Sequence, residues 1–336
     1  IFSAGFYYKT FMGPKGFWRK VYEPLIRKTA GLGKPPKEFR SKSIHNHHNT
    51  DVLIIGAGLS GLLAAKKFIN TEYDVLLIEQ DNYLGGILNN SKKIKKIDNI
   101  NSADWLQNIE KQILNSKNIK IIKNTLATTY NFSDHVVALE DTSVGKFPAN
   151  HKPEFILHKI RTSHTILANG HIERIISFRN NDLPGVMLAS SFEKYIYRYG
   201  VIPEKNPVIF TNNSITLSLL KSMLSLECKP SAYIDARDEK QIGQERIKIL
   251  KKEKIPFFIN SEVEGCDGNG KVEFIKIRDS NKNIIKLKAS MLCISGGINP
   301  DVHLFTQSKG LIEWDKNYIP FKPSQNFQNT ITLGSA

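Results

Sequence analysis

Asp51-Val52-Leu53-Ile54-Ile55-Gly56-Ala57-Gly58-Leu59-Ser60-Gly61 is the stretch on which the fold turns. A buried-strand run leads straight into the spacing G-x-G-x-x-G. Leu62 to Asn70 then reads as a helix with Ala64 and Ala65 on its packed face, and Asp74-Val75-Leu76-Leu77-Ile78-Glu79 as a second strand ending in an acid. The glycine spacing alone is weak. Between a strand and a helix, with an acid about 20 residues further on, it marks a dinucleotide-binding βαβ unit. Gly56 makes the tight turn, Gly58 lets the backbone approach a pyrophosphate, and Gly61 lets the helix pack close on the strand. The phosphates belong at the helix N-terminus, where free N–H groups and the helix dipole favour an anion. Glu79 is placed to accept from the adenosine ribose hydroxyls and to repel a 2′-phosphate, which favours NAD or FAD over NADP; a solvated strand-end acid is the other reading. Ala57, Leu59 and Ser60 within the turn, with Gly85, Gly86, Gly170 and Gly334 in later glycine turns, complete the candidate cofactor-binding set.

The pattern recurs once. Pro207-Val208-Ile209-Phe210 opens a strand, a helix follows over about 214–226, and Ala232-Tyr233-Ile234-Asp235 reads as the next strand. Its turn, Thr211-Asn212-Asn213-Ser214, has no glycine, so its backbone cannot approach a pyrophosphate in the same way. Asn212 and Asn213 read as turn and cap residues. The second unit is expected to be kept for structure and to be a poor dinucleotide site. Residues 102–115 read as an amphipathic helix, 120–123 as a strand, 125–161 as an antiparallel meander, and 165–171 and 289–297 as strands entering glycine turns. The expectation is an α/β chain of paired nucleotide-binding domains, one inserted in the other. The outer would be 51–190 plus 291–336 and the inner 191–290. Before them, residues 18–30 follow helical spacing with a start at Pro24, and 37–49 read as a polar, histidine-bearing linker.

The chain has 336 residues, 40% hydrophobic and 24% charged, which is ordinary globular usage and argues against disorder or coiled coil. No apolar run reaches the roughly 18–20 residues of a membrane span. Cys228, Cys266 and Cys293 lie too far apart for a Cys-x-x-Cys pair, so disulfide-reductase and zinc-ribbon chemistry are disfavoured and a reducing, cytoplasmic setting fits. The net charge is +15, but only ten of the 47 basic residues are arginine, and no basic repeat with interleaved aromatics is present; nucleic acid is therefore disfavoured as a partner. No catalytic constellation stands out. His171 either faces a cofactor or sits on a surface turn, and no metal site is expected, the His45, His47 and His48 cluster falling in linker-like sequence. Residue 1 is Ile, and Thr332-Leu333-Gly334-Ser335-Ala336 reads as a strand entering a turn, so the expectation is a piece of a longer polypeptide.

Three stretches carry a resemblance. They are Ser3-Ala4-Gly5-Phe6-Tyr7-Tyr8-Lys9-Thr10-Phe11-Met12 with Trp18, Tyr22-Glu23-Pro24-Leu25-Ile26-Arg27 and Ala30-Gly31-Leu32-Gly33; Asp182-Leu183-Pro184-Gly185-Val186-Met187-Leu188-Ala189-Ser190 with Tyr199-Gly200-Val201; and Val208-Ile209-Phe210-Thr211-Asn212-Asn213. They resemble the α subunit of heterotetrameric sarcosine oxidase, along essentially the whole chain. The resemblance implies that residues 1–50 end a ferredoxin-like region and that a glutathione-reductase-like nucleotide domain follows. It implies NAD at Gly56, Gly58 and Gly61, FMN at the interface with a β subunit, FAD and the amine-oxidising site on that β subunit, and tetrahydrofolate in a C-terminal region beyond this chain. The implied partners are β, γ and δ subunits and a small-molecule amine, and the implied reaction is oxidative demethylation of sarcosine to glycine, peroxide and methylenetetrahydrofolate. Lys9 and Thr10 are candidates for FMN contact, or else pack between domains. FAD enzymes of this fold carry Gly-Asp where this chain has Gly334-Ser335, which favours NAD in the outer domain. Ala168-Asn169-Gly170-His171 departs from the usual Ala-Thr-Gly-Ala. Two other readings stand beside this one: an amino-acid or opine dehydrogenase (or cyanide-forming synthase) subunit without the folate domain, and a non-catalytic scaffold.

Overall fold

A computed structural model describes residues 13–31, 43–144, 154–315 and 321–335. The stretch Ser3 to Met12, with Lys9 and Thr10, and the residues from Leu32 to Lys42 lie outside the described residues. The chain divides into two compact units, 1–42 and 43–336.

In the first unit, a π-helical turn over Trp18–Tyr22 runs directly into α1 (Glu23–Thr29). The helical stretch thus begins before Pro24, where the sequence placed its start. The Glu23 N–H reaches back to the Trp18 carbonyl. Pro24 then falls in the first turn of α1, where its missing N–H removes one donor at the junction with the π-helical turn.

The second unit opens with β1 (Ser43–Ile55), followed by α2 (Leu59–Lys67), β2 (Val75–Ile78), α3 (Ser102–Leu114), β3 (Ile119–Ile122), β4 (Thr125–Asn131), β5 (His135–Asp141) and β6 (Phe155–Leu167). They form a seven-stranded sheet in the order β3-β2-β1-β6-β5-β4, and a last strand, Thr330–Thr332, pairs with β6. The linker expected up to Asn49 is corrected here, because residues from Ser43 onward belong to β1. They pair with β6 from Ser43↔Phe155 to Ile55↔Leu167. The backbone ladder supplies this pairing, and side chains that stay in water can be polar without cost. Where the strand enters the core, alternation decides the packing. Val52 and Ile54 face Trp105, Ile109 and Ile113 of α3, while Leu53 and Ile55 face Tyr130, Val136 and Phe305. Each fully buried apolar side chain of this kind is worth about 1.5–3 kcal/mol.

A short strand β7 (His171–Glu173) precedes the second sheet, which comprises β8 (Val186–Leu188), α4 (Ala189–Tyr199), β9 (Val208–Thr211), α5 (Thr216–Ser225), β10 (Ala232–Asp235), α6 (Gln244–Lys252) and β11 (Phe257–Ile259), with β12 (Glu262–Asp267), β13 (Phe274–Arg278), β14 (Ile284–Lys288) and β15 (Leu292–Ser295) after them. The parallel strands run β8-β15-β9-β10-β11, and β12-β13-β14 form a separate antiparallel sheet. One face of the parallel sheet packs on α4 and α5 through Ile209, Tyr233 and Cys293. The other packs through Phe210 and Ile294 on Ile275 and Ile277 of the antiparallel sheet. All three cysteines are buried, and burial pushes the Cys266 thiol up to about 11. Burial raises the Cys293 thiol as well, so neither of these two is poised as a thiolate.

Candidate dinucleotide site

The cleft begins at the end of β1. Gly56 turns the chain at φ +97°, and a Cβ there would stand 2.5 Å from the Ala168 carbonyl oxygen. A Cβ on Gly61 would overlap the Gly56 carbonyl, whereas one on Gly58 would meet nothing within 4 Å. The first and third glycines are therefore required by the fold, and the second leaves open space. That space lies at the start of α2, whose first internal hydrogen bond runs from the Leu62 N–H to the Gly58 carbonyl (2.9 Å). The N–H groups of the first turn have no partner within the helix and form its positive end. A bare backbone beside free donors is the arrangement a pyrophosphate fits.

Glu79 follows β2 on one side of β1. It is only 8% exposed. Its Oε2 accepts the Ala57 N–H (2.6 Å) and its Oε1 the Asp81 N–H (2.9 Å). Burial pushes the carboxyl up from its usual range, against the pull of these two backbone donors. Each oxygen keeps a second lone pair, so the group can still accept from a ribose while also tying the glycine turn to β2. On the other side of β1, β6 ends in Ala168-Asn169-Gly170. The Asn169 amide donates to the Asp301 carbonyl (2.6 Å). His171 Nδ1 and Ser335 Oγ lie 2.8 Å apart. Burial and the Lys93 charge hold the His171 imidazole below its usual value.

Gly56, Gly58, Leu59, Ser60, Glu79, Gly86, Gly170 and Gly334 line one cleft of about 740 Å³. Ala57, Gly61 and Gly85 stand behind it, and Gly85 donates its N–H to the Ala57 carbonyl (2.7 Å). The same cleft is lined by Asn90, Asn169, Glu173, Ser190, Glu193 and Asp301, which sequence reasoning did not name as site residues. Glu193 had a readable signal. It shares the buried face of α4 with Ala189, Phe192 and Ile196, and an acid on an apolar stripe is worth a question. Glu173 and Asp301 carry no local signal.

His45, His47 and His48 lie on β1, not in a linker. His48 Nε2 is 2.8 Å from His158 Nδ1, and His158 Nε2 is 2.9 Å from Glu140 Oε2. Among the described residues no three His, Cys, Asp or Glu side chains group as a metal site. No helix among them is long and apolar enough to cross a membrane.

The fold and the cleft define a class. The chain has a Rossmann-type fold of the two-sheet kind found in thioredoxin reductases. Residues 54–104 match the family model of the NAD(P)-binding Rossmann-like domain. The thioredoxin reductase of T. acidophilum superposes with a TM-score of 0.64 at 14% identity, over 86% of this chain and 90% of that one. The L-proline dehydrogenase of P. horikoshii does so at 0.62 and 20% identity, over 90% of this chain and 53% of that one.

The sequence is similar to sarcosine oxidase subunit alpha. The Rhizobium meliloti (strain 1021) subunit is 29% identical over 99% of this chain, and the Corynebacterium sp. (strain U-96) subunit is 29% identical over 91%. This chain spans about a third of the length of these curated relatives, 33% and 32%.

Proposed function

We propose that this chain is the nucleotide-binding part of the α subunit of a multi-subunit sarcosine oxidase. In this reading the outer domain, whose sheet takes in β1 from Ser43 and the last strand Thr330–Thr332, holds one NAD in the cleft. The inserted domain, whose parallel sheet runs from Val186 in β8 to Ser295 in β15, holds none, and the residues before Ser43 belong to a preceding ferredoxin-like region. The observation that carries it is the pairing of an open Gly58 with a buried Glu79 on a chain similar along its length to sarcosine oxidase α subunits. Gly58 and the first turn of α2 would bind the pyrophosphate, and Glu79 would accept from the adenosine ribose. Ser335 in place of an aspartate supports NAD over FAD at this site. NAD, when bound, supplies a two-electron acceptor.

The amine chemistry belongs to a β subunit carrying FAD, with FMN at the α/β interface, γ and δ subunits completing a cytoplasmic complex, and tetrahydrofolate bound elsewhere in α. The test is sarcosine-dependent oxygen uptake by this chain alone and by the complex purified with its partners. Uptake is expected from the complex only. Turnover by the isolated chain, or a complex inert to sarcosine, would overturn the assignment.

A further inference from the structure

The cleft does not end at the glycine turn. In the first sheet β1 has β2 on one side and β6 on the other. A dinucleotide whose pyrophosphate sits on the turn, with its adenosine ribose at Glu79, must direct its other half over the end of β6. That half of the cleft is rich in acceptors. Glu173 is 8% exposed. Its Oε2 accepts the Ser190 N–H at the start of α4 (2.8 Å), but its Oε1 is buried without a hydrogen-bond partner, as are Asn169 Oδ1 and Asn90 Oδ1. Glu193, 6% exposed, lies on the same lining. Burial holds its carboxyl up from its usual range, hydroxyls of Ser218, Ser91 and Ser222 pull it back, and the Glu173 charge adds to the rise. The cations on this lining, Lys93 and Lys194, belong to an exposed and a half-exposed residue. The two acids are fixed and buried, while these two lysines reach water.

Resting on the reading above, we propose that this end of the cleft holds the nicotinamide in its oxidised, positively charged form. Glu173 and Glu193 then make the chain select NAD+ over NADH. Both forms carry a carboxamide whose N–H groups suit the unpartnered acceptors. Only the oxidised ring adds the positive charge that two buried carboxylates favour. A leftover acceptor beside a bound ring costs affinity unless a donor meets it, so the carboxamide accounts for the amide oxygens and the ring charge for the acids.

The experiment is calorimetric titration of the full-length protein, freed of nucleotide, with NAD+ and with NADH, in the wild type and in Glu173→Gln and Glu193→Gln. The wild type should bind NAD+ at least tenfold more tightly. Each substitution should narrow that ratio several-fold by weakening NAD+ with little change in NADH. Glu173→Gln keeps an oxygen for the Ser190 N–H, and Glu193→Gln is a second, independent probe. A merely structural role would lower both affinities together. Equal wild-type affinities, or a ratio unmoved in both variants, would overturn this inference and leave the NAD site standing. If neither dinucleotide binds, the site assignment itself falls.

Discussion

The two main sheets, the first mixed and the second parallel, repeat one strand–turn–helix–strand design with different outcomes. Each places a strand, a turn and a helix beside a second strand that ends near an acid, Glu79 in the first and Asp235 in the second. In the first, the acid accepts two backbone N–H groups and lines an open cleft. In the second, Asp235 is fully buried and closed over by arginine. Arg237 Nη2 and Arg246 Nη1 sit 2.8 and 3.0 Å from its Oδ2, and both guanidinium groups also donate to the Asn213 carbonyl of the glycine-free turn. The chain thus supplies its own cation and its own donors there, where the Gly56 turn leaves backbone N–H groups without a partner within the helix. An acid at the strand end does not by itself make a nucleotide site. The two units differ in the bare turn, and in the arginines that close over Asp235.

Substitutions test how far this contrast holds. The largest effect is expected from Gly61→Val, whose side chain would collide with the Gly56 carbonyl; a loss of about 5 kcal/mol or more in denaturant melts is expected. A near-neutral result would mean that α2 does not pack on β1 as described. Arg246→Ala should come next. It leaves part of the buried Asp235 charge uncompensated, and removing one partner of such a pair costs about 3–5 kcal/mol. Its thermal melt should fall without any gain of nucleotide binding; acquired binding would show that the arginines merely occupy a competent site. Gly58→Ala should be close to neutral in stability, since its Cβ meets open space. It should weaken NAD by tenfold or more, about 1.4 kcal/mol. A stability loss with unchanged affinity would reverse the roles assigned to the three glycines.

The smallest effect concerns the His48, His158 and Glu140 chain across β1, β6 and β5. Burial first, then the charges of His158, Lys120 and His47, hold His48 below its ordinary 6.5. The folded protein therefore takes up this proton less readily than the unfolded chain. Its contribution to stability is present above pH 6.5 and is lost as pH falls through the window below it. The melting temperature of the wild type should decline from pH 7 towards pH 5 more steeply than that of His48→Gln. Parallel curves would remove the histidine from the account.

What the sequence made legible was whatever repeats locally. Gly56, Gly58 and Gly61 show themselves by spacing, Val52 to Ile55 by a continuous apolar run, and α3 by Trp105, Ile109 and Ile113. The polar half of β1 was not legible, because its hydrogen bonds are backbone bonds to a strand more than 100 residues away and its histidines and asparagines read as loop. Arg237 and Arg246 were equally silent, since an arginine reads as surface until a buried acid is seen beside it. The far end of the cleft draws Asn90, Asn169 with Glu173, and Glu193 from three separate segments. No window of sequence contains them together.

The most direct measurement is the nucleotide content of the purified protein. Denaturation followed by chromatography of the released cofactor should give one NAD per chain from the wild type and from Arg246→Ala, and little or none from Gly58→Ala. Two nucleotides per chain, FAD in place of NAD, or full retention by Gly58→Ala would contradict the division between an open first site and a closed second one.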